Sequence, residues 1–278
     1  MDELSYLEIT RLAGDDPLRR WVAQDLTPPT RAWRSSDGRA AAIARPALAQ
    51  RDRVLILGER SAAAGLLREL LAVLGPTYRP FGDRRLLDHL IADLPELERR
   101  GEFSWMWCSS AEPATWAAEP STWAAQPATW AAQSAGAPPA GWAGPEDEEA
   151  IAALLARNFS SSYAQPGRAG VQRWARIAIG DRIVAAGAWA WSQATVGLIS
   201  GVTVDAEMRG RGLGRAIASF LLREALRTFG TAGLLADDDN TPAVALYRSL
   251  GLRPVPLLAA RIRAERLNSF MHAYKENP

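Results

Sequence analysis

The nine residues MRGRGLGRA, Met208–Ala216, set three glycines at alternate positions among three arginines. An apolar run, Val196–Val204, precedes them, and Leu213, Ile217, Phe220 and Leu221 follow at the spacing of a buried helical face. That order demands a strand, a sharp main-chain turn and a helix start in immediate succession. Without β-carbons, the backbone of such a turn can curl and aim several N–H groups into one hollow. The positive end of the helix dipole falls in the same place, so the hollow suits phosphate oxygens, with Arg209, Arg211 and Arg215 adding charge. A structural turn carrying solvated arginines is the alternative. The spacing G-x-G-x-G departs from the dinucleotide fingerprint G-x-G-x-x-G, and no G-x-x-x-x-G-K-[ST] occurs.

The sequence around the loop reads as helices and short strands. PEDEEAIAALLARNF, Pro145–Phe159, has the acidic first turn of a helix. RWARIAIGDRIVAAGAWAW, Arg173–Trp191, reads as two strands turning at Gly180-Asp181, and TVGLISGVTV, Thr195–Val204, as a third. Gly201 inside that third strand marks a bulge or a close backbone approach. LRTFGTAGLLADDDN carries another strand, and TPAVALYRSLGL is a helix closed by Gly251 in a left-handed cap. The uncharged run Ile183–Val204 is as long as a membrane span. Ser192, Gln193 and Thr195 interrupt it, and two buried strands with a turn near Ser192–Ala194 explain it without a membrane.

In the N-terminal half, RAWRSSDGRAAAIARP reads as a hairpin turning at Asp37-Gly38. VLILGE, Val54–Glu59, is a buried strand followed by the helical run SAAAGLLRELLAVL. Leu86–Arg100 reads as a further helix with Pro95 as a kink or break, and FSWMWC, Phe103–Cys108, as a returning strand. Between the halves lie PATWAAE, PSTWAAQ and PATWAAQ, Pro113–Gln133, with a looser echo PAGWAG at Pro139–Gly144. A proline in each unit excludes a coiled coil, so the repeat reads as a linker. Its tryptophans, Trp116, Trp123, Trp130 and Trp142, form either a docking strip or a set of rings lying on the nearest domain. The expected division is an α/β lobe over 1–110, a linker over 111–144 and a second domain over 145–278.

Composition removes several function classes. Formal net charge is +1, which gathers neither nucleic acid nor anionic membrane. Cys108 is the single cysteine and His89 and His272 the only histidines, so disulfide frameworks and zinc sites are excluded and no metal is expected. No G-x-S-x-G elbow is present. The N-terminus, MDELSYLEITRLAGDD, is acidic without an apolar signal core, which points to the cytoplasm. Lys275 is the only lysine among 32 basic residues, a bias that fits a GC-rich bacterial genome.

These motifs together resemble the GNAT acyltransferase superfamily. RGRGLG, Arg209–Gly214, is similar to its Q/R-x-x-G-x-G/A acetyl-coenzyme A loop, and DDDNTPAVALYRSLGLRP, Asp237–Pro254, to its second signature, an Asn followed seven residues later by a Tyr. The resemblance covers about Pro145–Arg263. It implies an α/β (α+β) fold with a mixed, mostly antiparallel sheet flanked by helices. The lobe before it, whose GERSAAAGL has the wrong spacing for the loop, reads as a degenerate GNAT-like or family-specific lobe.

What the resemblance implies for chemistry is direct transfer from acetyl-CoA to an amine. The pantetheine arm would pair with backbone at Val202, Thr203 and Val204, and the pyrophosphate with N–H groups of Gly210, Arg211, Gly212, Leu213, Gly214 and Arg215, beside Arg209. Asn240 would bind the cofactor arm. Tyr247 would stabilise the departing thiolate, since a phenol of pKa about 10 can donate to a thiolate of pKa about 8.5 without ionising. Core packing is the other reading of Tyr247, because Val244, Tyr247 and Leu250 share helical spacing. Many relatives place a Glu five residues before the Asn, where this chain has Leu235. Asp237 is the substitute base, with Asp238, Asp239 and Glu207 as alternatives.

The acceptor is a small-molecule or peptide amine, docking near NFSSSYAQPGRAG, Asn158–Gly170, where Tyr163 could line the pocket; the protein would act as a monomer or homodimer. Cys108 reads as a buried strand residue. A competing function is a catalytically silent acyl-CoA binding or sensing module. A nucleic-acid binder is a third, opposed by the near-neutral charge.

Overall fold

The computed structural model describes residues 1–24, 29–110 and 139–265. The repeat Pro113–Gln133 lies outside the described residues, and only its echo at Pro139–Gly144 falls within them. The described residues form two compact units that are not contiguous in sequence. Of these described residues, one takes those within Met1–Trp105, Ala236–Val244 and Pro254–Pro278, the other those within Met106–Leu235 and Ala245–Arg253.

In the first unit, short helices α1 (Tyr6–Ala13) and α2 (Pro17–Ala23) are followed by strands β2 (Arg31–Arg34), β3 (Ala40–Leu48) and β4 (Arg51–Gly58), with β1 (Asp2–Glu3) at the edge. The β2–β3 hairpin turns at Asp37-Gly38, as the sequence implies: Gly38 sits at φ +72°, and the Asp37 carboxylate accepts from the Arg39 N–H at 3.0 Å. Helix α3 (Arg60–Leu74) crosses from β4 to β5 (Arg79–Asp83), which lie parallel. It buries Leu66, Leu67, Leu70, Leu71 and Leu74 in the unit's core. Each such leucine contributes about 1.5–3 kcal/mol relative to exposure, so the i, i+4 leucine ladder fixes which face of α3 meets the sheet.

The helix expected over Leu86–Arg100 is corrected. Helix α4 runs Arg84–Asp93, Leu94 is extended at φ −122° and ψ 91°, and Leu97 already begins strand β6 (Leu97–Ser109). Pro95 explains the stop. Its ring disfavours the helical region for the residue before it and it offers no N–H to continue the ladder, so the chain leaves the helix rather than kinking through it.

The second unit contains β7 (Gly141–Trp142), α5 (Glu148–Asn158), β8 (Val171–Ile179), β9 (Arg182–Ala190), β10 (Gly197–Val204), α6 (Leu213–Phe229) and the start of β11 (Thr231–Asp237). Its strands lie in the order β11-β10-β9-β8-β7. β8 and β9 are antiparallel, as are β9 and β10, while β10 and β11 are parallel with α6 between them. The uncharged run Ile183–Val204 is therefore two buried strands, and no helix among the described residues is long and apolar enough to cross a membrane. Two glycines let α6 press onto this sheet. A β-carbon on Gly197 would stand 2.5 Å from the Phe229 ring and 2.8 Å from Ala225, and one on Gly187 would stand 2.7 Å from Leu221. The Trp189 indole N–H donates to the Leu221 carbonyl at 3.3 Å.

The element order of the second unit repeats that of the first. β2-β3-β4-α3-β5 and β8-β9-β10-α6-β11 are each an antiparallel meander, a helix and a parallel strand. After helix α7 (Thr241–Ser249), strand β12 (Arg253–Ile262) pairs antiparallel with β5, whereas β6 is divided, Leu97–Trp105 falling in the first unit and Met106–Ser109 in the second. The boundaries 1–110, 111–144 and 145–278 thus divide the chain differently from its compact units. Local periodicity reports each strand but carries no trace of which sheet completes it.

Candidate active site

The site begins where β10 and β11 part. Their parallel register holds through Gly197↔Ala232, Leu198↔Gly233 and Ile199↔Leu234, although β10 continues to Val204. At the same point the register with β9 slips between Ser200 and Thr203, and Gly201 takes φ +65°. A β-carbon there would stand 3.0 Å from the tip of the Trp174 ring and 3.3 Å from Ala164 and Ser162, so Gly201 is both the bulge and the close approach.

The register decides which backbone groups remain. The Asp205 N–H donates to the Val184 carbonyl at 2.9 Å. Bonded and non-bonded pairs alternate along an antiparallel ladder, so Thr203 also turns its main-chain groups to β9, opposite Ala186. Val204, and Val202 two residues earlier, then turn theirs the other way, where no register pair with β11 follows Ile199. Of the three residues expected to meet an extended ligand, Thr203 is therefore committed within the sheet.

Beyond Val204 the chain passes through a 3₁₀ turn, Ala206–Met208, anchored by Asp205. The Asp205 carboxylate accepts from the Glu207 N–H and pairs with Arg182 at 2.7 Å, and that guanidinium holds its pKa below the ordinary carboxylate value. The glycine loop follows. Gly210 and Gly212 both stand at φ +76°, and Gly212 caps α6 in the left-handed region. The first helical bond runs from the Ala216 N–H to the Gly212 carbonyl.

Among the described residues, no backbone or side-chain acceptor meets the N–H groups of Gly210, Arg211, Gly212, Leu213, Gly214 and Arg215. Six donors without an internal acceptor thus lie at the head of a 17-residue helix, whose terminus carries roughly half a positive charge. Arg209 and Arg211 are exposed and without a carboxylate partner among the described residues. Arg215 instead donates to the Ser249 hydroxyl at 2.6 Å, which donates to the Leu246 carbonyl at 2.6 Å. This tie to the end of α7 has no local signature in the sequence. The pattern fits a diphosphate: many neutral donors at short range, with fixed positive charge around them.

Tyr247, in the last turn of α7, is 8% exposed, and burial pushes its phenol up to about 12. The helix closes as expected. Gly251 stands at φ +86°, and the Leu252 N–H returns to the Tyr247 carbonyl at 3.1 Å.

Asp237 and Asn240 fall in the first unit. Asp237 ends β11 on the exposed side, yet partial desolvation of its carboxyl, and then the carboxylates of Asp239 and Asp238, raise its pKa. The Asn240 side-chain oxygen accepts from the Ala243 N–H at 3.3 Å and so caps α7. Asp238 is occupied: it accepts from Arg84 and, at 2.7 Å, from the Ser104 hydroxyl. Glu207 pairs with Arg182 at 3.3 Å. Asp239 is exposed. Asp237 combines a raised pKa with the absence of a cation partner among the described residues.

In the loop expected to meet an acceptor, the Asn158 side-chain oxygen accepts from the Ala206 N–H at 2.9 Å, tying the end of α5 to the turn before the glycines. Tyr163 is exposed. Cys108 is buried in β6 with its thiol pushed up to about 12 by burial, as suits a packing residue. No cluster of three or more metal-ligating side chains occurs among the described residues.

The model of the Acetyltransferase (GNAT) family matches residues 102–252. No curated protein matches the chain. Among solved structures it is similar to a GCN5-related N-acetyltransferase from Kribbella flavida, with TM-score 0.56 and 17% identity over 94% of this chain and 98% of that one. A GCN5-related N-acetyltransferase-like protein from Streptococcus suis 89/1591 aligns with TM-score 0.53 and 13% identity over 92% and 98%. A GCN5-related N-acetyltransferase from Sphaerobacter thermophilus aligns with TM-score 0.52 and 17% identity over 92% and 89%. At these identities the likeness is one of fold.

Proposed function

The chain belongs to the acetyltransferase (GNAT) family, and from that premise we propose that it is an N-acetyltransferase moving an acetyl group from acetyl-CoA to the primary amine of a small molecule or peptide. The observation that carries the reading is the array of six unengaged N–H groups from Gly210 to Arg215 at the head of α6, with Arg209 and Arg211 beside it. Those groups would hold the diphosphate, and the outward main-chain groups of Val202 and Val204 would hold the extended arm, as an added strand. Acetyl-CoA, when bound, supplies a thioester carbonyl open to attack and a thiolate as leaving group.

The remaining roles belong to the chain's own side chains. Tyr247 keeps its proton, because a phenol raised to about 12 stays neutral at any working pH, and its O–H can donate to developing negative charge on sulfur. Asp237, with a raised pKa, is suited to accept the amine's proton. For Asp237 and Asn240 the assignment rests on the family signature DDDN…Y. The exposed Tyr163 and its loop are the place assigned to the acceptor.

The test is release of free thiol from acetyl-CoA with a wide panel of amines, using the full chain and its Gly212→Glu variant. Amine-dependent release by the parent and none by the variant is the expected result. If coenzyme A binds and no amine exceeds buffer hydrolysis, acyl transfer fails as a reading and a silent acyl-CoA binding module takes its place.

A further inference from the structure

The echo PAGWAG shows how a unit of the repeat sits on the second unit of the fold. Gly141 and Trp142 form β7 against the edge of β8, opposite Arg176 and Ala175, and the Ala143 N–H donates to the Trp174 carbonyl at 2.9 Å. The Trp142 ring enters an aromatic notch, edge-on to Trp189 at 4.7 Å and to Phe220 at 5.1 Å, with the Arg173 guanidinium 4.1 Å from its centre. Such a notch reads one indole and a stretch of extended main chain.

Three upstream units carry the same reading frame: Pro, a small residue, one residue, Trp, Ala, Ala. The docked unit differs from PATWAA at two positions, Gly141 for Thr and Gly144 for Ala. Neither glycine is required by its surroundings. A β-carbon on Gly141 would meet nothing within 4 Å, in a strand where Thr is favoured. Gly144 is extended at φ −93°, and the three atoms nearest a β-carbon there, at 2.3–2.5 Å, belong to the carboxyl end of the exposed Glu146, which can swing aside.

We propose that the notch formed by Trp189, Phe220, Arg173 and the edge of β8 is a binding site for the P-x-x-W-A-A unit, and that Pro127–Gln133 of the same chain is its alternate occupant. One feature favours the resident unit. The Gly144 N–H donates to Asp147 at 3.0 Å, and Asp147 pairs with Arg176, an anchor supplied by the PED that follows only this unit. Occupancy by Trp130 instead would shorten the connection from β6 and lengthen the one entering α5.

The experiment uses the full chain labelled with 5-fluorotryptophan and read by ¹⁹F NMR, the notch resonance being assigned as the signal that is present in Trp130→Ala and lost when Trp142→Ala is added to it. In the parent chain the notch signal belongs to Trp142, and Trp130→Ala leaves it in place. In Trp142→Ala a signal returns to the notch position, and it vanishes when Trp130→Ala is added. A Trp142→Ala chain that is folded but shows no signal at that position overturns the proposal. Should that variant fail to fold, the double substitution Gly141→Thr with Gly144→Ala, which writes PATWAA into the docked position, decides the matter. Retention of the Trp142 notch signal supports the proposal, and its loss overturns it.

Discussion

Replacing Gly212 by alanine separates the two things that glycine provides at the head of α6: freedom of the backbone and space for a ligand. The residue stands at φ +76° and ψ 0°, where an L-residue with a β-carbon is disfavoured by about 1–2 kcal/mol. The β-carbon itself meets no atom within 4 Å, so collision inside the protein adds nothing. If the loop must hold this conformation to present its N–H groups, the whole conformational cost opposes coenzyme A binding, and Kd rises about 5–30-fold. Gly212→Glu adds a carboxylate facing the diphosphate. At about 5 Å and an effective dielectric near 20, each like-charge pair costs roughly 3 kcal/mol, enough to remove measurable binding. Isothermal titration with coenzyme A reads both variants, and thermal melts confirm that each remains folded. Parent-like affinity in both would refute the assignment of this loop to phosphate. Loss in the glutamate variant alone would refute the backbone half of the reasoning.

Tyr247→Phe should lower kcat by about 10²-fold with little change in coenzyme A affinity, and the parent's pH–rate profile should show no basic limb from this residue below pH about 11. An unchanged kcat would return Tyr247 to simple packing. Asp237 has a raised folded pKa, so it favours the folded state when protonated, and its contribution is lost as pH rises through that value. Asp237→Asn should therefore be neutral or stabilising at pH 7 while removing the acidic limb of kcat/KM; a destabilised variant with an intact limb would contradict both statements. Gly197→Ala forces a carbon to within 2.5 Å of Phe229 and should cost about 1–3 kcal/mol, lowering Tm by several degrees in a melt without altering the loop chemistry.

Local signals carried much of this molecule. The glycine loop, the Gly201 bulge, the Gly251 cap and the hairpin at Asp37-Gly38 each rest on a positive-φ backbone that glycine adopts without steric cost. Of the two outcomes that Pro95 allows within Leu86–Arg100, a kink or a break, the structure takes the break, and the residues after it turn to strand. Other features were not legible because they join residues distant in sequence. The pairing of β12 with β5, the tie from Arg215 to Ser249 and the seat of Trp142 depend on what a segment meets, and periodicity records only what it is. Asn240 shows an intermediate case: its role as the cap of α7 is visible in the order Asn-Thr-Pro, yet the family signature drew attention to the ligand instead. The end of β3 and the turn into β4 hold Ala47, Ala49 and Gln50 at positive φ, and no glycine or asparagine announces it.

The parting of β10 from β11 has a consequence for how this enzyme class can change over time. A guest recognised through peptide groups is insensitive to the identity of the side chains that carry them. On the function proposed above, Val202 and Val204 can drift among β-formers without loss of the proposed grip on the donor, which leaves the choice of acceptor free to evolve on surfaces that never touch it.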